Sequence, residues 1–315
     1  MSNESKPVVP TRSENAPPVE VAAGRLTKLT FSVMITTKNR LEDLRRTVQV
    51  LKNLRPQPQE ILITADGCTD GTTDFVRSEL PQAKLVVNAM GQGSVASRDH
   101  MMRTASGDLV LALDDDSYPE QLDCLARLDE LFAARPQLAV AHFPQRTDEY
   151  PETLSRTNFD PPCLTRGFAN SGACLRRSIY IQLPGFEPRF FHMYEEPDYG
   201  LQCIASGFEV YHTPIIIIRH HWSGQSRSRI KNHHRHARNE LWSTLMRCPF
   251  PYSLATIGYR IFSQFRFACR QGITWAIQEP VWWWQAFSAA PYFLRKAKPF
   301  SWPSYRRWLE LPDKM

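Results

Sequence analysis

Apolar residues alternate between two spacings along the first two-thirds of the chain. Leu29–Thr37 (LTFSVMITT) is a β-branched run of the kind that lies buried on both faces as a strand. Leu41, Leu44, Val48 and Leu51 follow at helical spacing, and Pro56 and Pro58 close the segment. The exchange then repeats. Strand patterns at 60–66, 83–88, 108–114 and 138–143 alternate with helical patterns at 72–80, 93–105 and 119–134. After a loop-like segment at 145–170, the pattern predicts a short strand at 173–175 and a helix at 197–205. One apolar strand over 211–220 (YHTPIIIIRH) and a helix at 233–247 come next. Residues 1–28, polar and without periodicity, predict a disordered tail.

Strands alternating with helices predict an α/β domain over 29–247, a mostly parallel sheet with helices on both faces. A helical, aromatic and basic extension occupies 248–315. A parallel sheet binds ligands at the carboxyl ends of its strands. That rule selects residues 36–39, 66–70 and 114–116, and two of these three strand ends are acidic.

Asp114-Asp115-Asp116 follows an apolar strand directly. In extended chain alternate side chains share a face, so Asp114 and Asp116 point the same way. Two carboxylates that close repel unless a cation sits between them, and hard oxygen ligands suit Mg²⁺ or Mn²⁺. The structural alternative is an acidic turn opening a helix, with Asp116 or Ser117 as cap and Pro119 in its first turn. Asp66-Gly67-Cys68-Thr69-Asp70-Gly71-Thr72 ends the second strand. Asp66 can accept from a base N–H, while Thr69 or Asp70 can cap the next helix. Tyr194-Glu195-Glu196-Pro197-Asp198 precedes a helix, where acids complement the macrodipole or supply a general base. His220 and His221 end an apolar strand, as structural histidines or as neutral ligands to a metal. His233, His234 and His236 lack metal-ligand spacing.

Charge divides the chain. Residues 1–209 carry 28 Asp/Glu and 22 Lys/Arg; residues 210–315 carry 4 and 16, together with all eight Trp. No acid falls between residues 210 and 239, where Arg227, Arg229, Lys231, Arg235 and Arg238 form either a solvated face or a phosphate-binding one. Trp282-Trp283-Trp284, Tyr292, Phe293 and the basic residues around them predict either a helical cover on the catalytic domain or attachment to an anionic membrane surface. The basic tail matches no nucleic-acid-binding module, so no nucleic-acid partner is expected. There is no secretory signal and no apolar run long enough to span a bilayer. Seven scattered cysteines without a C-x-x-C pair fit a reduced setting. The expected location is the cytoplasm, peripheral on the inner face of the cell membrane if the tail binds lipid.

These residues resemble the family 2 glycosyltransferases, inverting enzymes of the GT-A fold. The resemblance covers about 29–247. It is carried by SVMITTKNR (32–40), DGCTDGT (66–72), GQGSVASRDHMMRTASGDLVLALDDDS (91–117), NSGACLRR (170–177), GFEPRF with YEEPDYGLQCIASGFEV (185–210), HHWSGQS (220–226) and RNEL (238–241), in that order. It implies a nucleotide-sugar site in which Thr36 and Arg40 flank the nucleotide and Asp66 holds the base. Arg98, Asp114 and Asp115 lie along the donor, and Asp116 holds the metal with His220 or His221. Glu196 matches the family's catalytic base, with Glu195 and Asp198 beside it. The implied donor is a nucleotide-diphosphate sugar, the acceptor a carbohydrate or lipid-linked hydroxyl, and the cofactor Mg²⁺ or Mn²⁺. Three positions depart from the pattern: Cys68 replaces Ser, Asp99 replaces Asn, and Pro197 follows the base. The Q-x-x-R-W signature of processive synthases is absent, since Ser304 precedes Arg307-Trp308, which favours single addition. A sugar nucleotidyltransferase would need a Gly-rich first loop, and ITTKNR is poor in Gly. A non-catalytic sugar- or lipid-binding protein would not need acids at all three motifs.

Overall fold

The computed structural model describes residues 28–222 and 228–314; the tail predicted over 1–28 lies, but for Lys28, outside the described residues, as does Arg227. Four strands, β1 (Phe31–Thr37), β2 (Glu60–Asp66), β3 (Lys84–Asn88) and β4 (Leu109–Asp114), alternate with helices α1 (Leu41–Asn53), α2 (Thr72–Glu79) and α3 (Ser94–Thr104). The strands lie parallel in the order β3-β2-β1-β4. Their register puts Thr36 beside Asp114 and Asp66 beside Asn88, so the acids named above share one end of the sheet.

The chain continues through β5 (Ser117–Pro119), α4 (Cys124–Ala134), β6 (Leu138–His142), β7 (Gln145–Thr147), β8 (Cys163–Leu164) and β9 (Gly172–Arg176). Then come α5 (Arg177–Gln182), α6 (Glu195–Ala205), β10 (Glu209–His212) and β11 (Ile218–His220). Strands β9, β6, β10 and β8 extend the sheet to eight, with β9 and β8 running against the rest. A second sheet of three strands, β5-β11-β7, stands at the carboxyl end.

Alternation along β1 explains the layers. Val33 and Ile35 bury against Leu44, Val48, Phe75 and Leu128 of α1, α2 and α4, while Met34 points the other way among residues of α3, α5 and α6. Each face thus receives an apolar row, and helices cover both.

Two expected elements are different in the structure. The single strand over 211–220 is two strands in two sheets, because Pro214 lacks an N–H and interrupts the ladder. The helix expected from Pro119 begins only at Cys124, since residues 117–119 pair with β11 and Ser117 bonds back to the Asp114 N–H.

The C-terminal helices are α7 (Arg229–Arg247), α8 (Tyr252–Gln271), α9 (Ile273–Ala276), α10 (Glu279–Arg295) and α11 (Trp302–Glu310). Phe293, Tyr305 and Trp308 bury in the same cluster as Tyr199 of α6, and Trp282 buries against Leu241 of α7. This part of the extension therefore covers the α/β fold. By contrast, Ala268 is the one buried residue of α8.

Candidate active site

The strand ends converge on a cleft of about 460 Å³ whose walls include Thr36, Arg40, Asp66, Arg98, Asp114 and Asp115. Asp66, at the end of β2, accepts from the Asn88 side chain at 2.8 Å and from the N–H groups of Gln92 and Gly93 at 2.8 and 2.9 Å. A carboxylate offers about four lone-pair sites, which leaves room for one further donor. Gly93 is obligatory here: its φ is +94°, and a Cβ would meet the Phe191 carbonyl oxygen at 2.2 Å. Neither Thr69 nor Asp70 is the α2 N-cap, which is Gly71; Asp70 makes an Asx-turn instead, receiving the Thr72 and Leu41 N–H groups.

At the turn after β4, the three aspartates part company. Asp114 and Asp116 turn toward His220, and one ligand atom from each of the three lies within 4.8 Å of the others. Asp115 turns to Arg40, at 3.1 Å. Burial, opposed by Arg40, pushes Asp115 up to about 8. Arg40 also reaches Asp116 at 2.6 Å and Asp43 at 3.1 Å, so its guanidinium is turned to the acids as well as to the cleft. Burial works against ionisation of Asp116, yet hydrogen bonds and charge from His220 and Arg40 hold it below the usual carboxylate range.

His220 Nδ1 lies 3.1 Å from Gln145 Oε1, which favours the Nδ1–H tautomer and turns the Nε2 lone pair toward Asp116 Oδ1, 3.2 Å away. Two lone pairs at that separation need a proton or a cation between them. Two carboxylates and an imidazole are a donor set that suits Mn²⁺ or Mg²⁺ completed by other oxygens. The residues therefore fit a divalent cation.

The glycosyl transferase family 2 model matches residues 32–196, a little over half of the chain. The chain belongs to this family. Solved structures of similar fold include GalNAc-T7 with UDP, GalNAc and Mn²⁺, at 14% identity and a TM-score of 0.58 over 72% of this chain. This chain spans only 49% of that one. The mannosyltransferase PcManGT of Pyrobaculum calidifontis, solved with GDP-Man and Mn²⁺, gives 17% identity and a TM-score of 0.53 over 93% of this chain and 77% of its own. S. aureus TarS 1–349, solved also with UDP-GlcNAc, gives 14% identity and a TM-score of 0.56, covering 84% of this chain and 81% of its own. At such identities the likeness is one of GT-A fold. No curated protein sequence matches.

In this family member the second acidic motif scatters. Arg98, buried on α3, donates to Asp114 at 2.5 Å and to Glu195 at 2.7 Å, so it bridges the cleft to the start of α6. Glu195 is almost wholly buried, and among the described residues its Oε2 has no hydrogen-bond partner. Glu196 accepts from the Asn170 N–H at 3.4 Å, and burial beside Glu195 pushes it up to about 8. Neither glutamate lines the donor cleft; Glu195 stands behind Arg98, and Glu196 stands beside Asn170, whose buried side-chain amide lacks hydrogen-bond partners among the described residues. Asp198, named with the glutamates as catalytic, is placed elsewhere. Ser243 donates to it at 2.6 Å, Gln202 at 2.7 Å and Arg247 at 3.3 Å, so it ties α6 to α7. One helical turn separates it from Glu195 and carries it into the helix packing.

His221 is likewise turned away from the cation cluster. Its Nε2 contacts Tyr118 Oη at 2.8 Å and its Nδ1 lies 3.6 Å from Asp148. On an extended segment neighbours face opposite sides, so only one of the pair can join Asp116.

Sequence reasoning passed over Gln145, which orients His220, and Asn239. The Asn239 amide donates to the carbonyls of Phe190, His192 and Met193 at 3.0, 3.0 and 2.7 Å. Phe191, Met193 and Tyr194 have positive φ, so Asn239 holds a strained segment against the start of α6. The RNEL motif contained this residue, but nothing in its spacing disclosed the loop it clamps.

Proposed function

We propose that this glycosyltransferase moves a sugar from a nucleotide-diphosphate donor to an acceptor hydroxyl, with inversion, aided by Mg²⁺ or Mn²⁺ at Asp114, Asp116 and His220. The observation that carries the reading is the meeting of these three side chains beside a cleft that also contains Asp66 and Arg98. Thr36 and Asp66 stand at the nucleotide end, and Asp66 has one acceptor position left for a base N–H. Asp115 keeps Arg40 in place. A cation held at the cluster supplies positive charge against the departing diphosphate.

Glu196 takes the proton from the acceptor hydroxyl. An environment that lifts its carboxyl toward neutrality makes it a stronger base than a solvated glutamate. Glu195, fixed by Arg98, positions the segment and adds negative charge beside Glu196. The Asn170 side-chain amide and Glu195 Oε2, unpartnered among the described residues, are polar groups left for the acceptor. Attack from the face opposite the diphosphate gives inversion.

The test is donor turnover, by transfer or by hydrolysis, across a set of nucleotide sugars with Mn²⁺ and with a chelator. Metal-dependent release of nucleoside diphosphate is expected from at least one donor. Equal release after chelation would remove the metal assignment, and tight nucleotide binding without any turnover would favour a binding protein.

No described helix is long and apolar enough to cross a membrane. We further propose that α8 lies on an anionic leaflet. Leu254, Tyr259 and Phe262 are exposed on it, and the sole acid between residues 241 and 309, Glu279, is buried. Flotation with anionic liposomes is expected to fall when Leu254, Tyr259 and Phe262 are replaced by Ser; unchanged flotation would remove the membrane claim.

A further inference from the structure

Beside the donor cleft, α7 and the start of α10 enclose a second cavity of about 490 Å³. Four of its walls are Lys231, His234, Arg235 and Arg238, which recur at helical spacing along one face of α7. Arg235 lines both cavities, so the two adjoin at this side chain.

Among the described residues no acid lines this groove, and of its basic walls His234 alone has an acid nearby, Glu279 at 3.9 Å. Glu279 adjoins Gln278 in sequence but is buried, with its two oxygens 2.8 Å from His233 Nε2 and Trp282 Nε1. Among the described residues neither Arg235 nor Arg238 has a carboxylate partner. Arg235 lies over the Phe191 ring, and Arg238 lies over Trp242 and donates to Gln285, Asn239 and the Phe190 carbonyl. Burial, helped by Arg235, lowers the Arg238 guanidinium to about 10. The first turn of α7 contains no acid, and cations stand instead at its positive end. Like charges a turn apart cost stability, so an anion bound here removes two unfavourable interactions at once.

The groove has an apolar border. Val281 lines it, and Ile277 and Trp284 continue the row at i−4 and i+3, all exposed. A cationic pocket edged by an exposed apolar row is complementary to an amphiphile with a phosphorylated head.

We propose that the α7–α10 groove holds the phosphate of an amphiphilic phosphate acceptor, with Ile277, Val281 and Trp284 taking its apolar chain. This names the class of molecule that bears the acceptor hydroxyl, an amphiphile whose phosphate serves as the anchor, and so rests on that reading. Arg235 stands where the acceptor's anchored head meets the donor cleft.

The experiment is calorimetric titration of the full chain with inorganic phosphate, with decyl phosphate below its micelle concentration, and with decanol. Decyl phosphate is expected to bind at least about tenfold more tightly than inorganic phosphate, and decanol not measurably. Lys231→Glu, at an exposed position, is expected to weaken both phosphates about tenfold. Val281→Ser with Trp284→Ser is expected to remove only the advantage of the chain. Asp116→Ala, which disables donor turnover, is expected to keep decyl phosphate binding, so failure of the donor reading and failure of this proposal are separable. A diazirine-bearing decyl phosphate should label residues 277–288. Labelling confined to 36–40 or 191–196, or equal phosphate affinity in Lys231→Glu and the natural protein, overturns the assignment.

Discussion

The two acidic motifs contain similar residues and come to different ends. Asp114-Asp115-Asp116 leaves a strand, and the turn after β4 sends its first and third members to one place and its second to another. Glu195-Glu196-Pro197-Asp198 opens a helix, where successive side chains fan out by about 100° each. Glu195 meets Arg98, Glu196 stays beside Asn170, and Asp198 enters the contact between α6 and α7. A run of acids on a strand end can build one site; on a helix end the same density serves catalysis, positioning and packing separately.

Substitutions test that contrast directly. Asp116→Ala should have the largest effect, lowering turnover roughly 100- to 1,000-fold and abolishing tight Mn²⁺ binding measured by calorimetry. Glu196→Gln should lower transfer by about 100-fold or more while leaving donor affinity intact, as read by single-turnover kinetics. If Glu195→Gln alone gives that profile, the roles of the two glutamates exchange. In the natural protein kcat/KM should rise with pH through about 8, because the base must lose its proton before it can accept one, and Glu196→Gln should flatten that limb. Asp198→Ala should act on stability instead. It leaves Arg247 buried without its partner, a loss of about 3 kcal/mol, visible as a lower unfolding midpoint with little change in turnover below it. His221→Gln should change turnover least, since its ring faces Tyr118 and Asp148; a loss comparable to that in Asp116→Ala would place it in the cation site after all.

The C-terminal helices give a second contrast. Trp282, Phe293, Tyr305 and Trp308 are buried, while Trp284, Ile277 and Phe262 on neighbouring helices remain exposed. Aromatic density in the sequence therefore mixed two populations. Truncation near Arg247 would uncover the first, so point substitutions are the cleaner probe of the second.

What the sequence determined by itself is the part governed by local period and local order. Alternation of strand and helix patterns predicted the α/β layers, and the strand-end rule led to Thr36, Asp66, Asp114 and Asp116 before any coordinates. The split of residues 211–220 was legible in Pro214, but apolar content outweighed it in the reading. Only tertiary structure chose between His220 and His221, because the choice depends on β11 lying between β5 and β7. Only it set Asp198 against Arg247, Gln145 against His220, and Asn239 beneath the strained loop, contacts that join residues 49, 75 and 46–49 positions apart. A side chain's neighbours along the chain fix its direction; its partner across the fold fixes what it does.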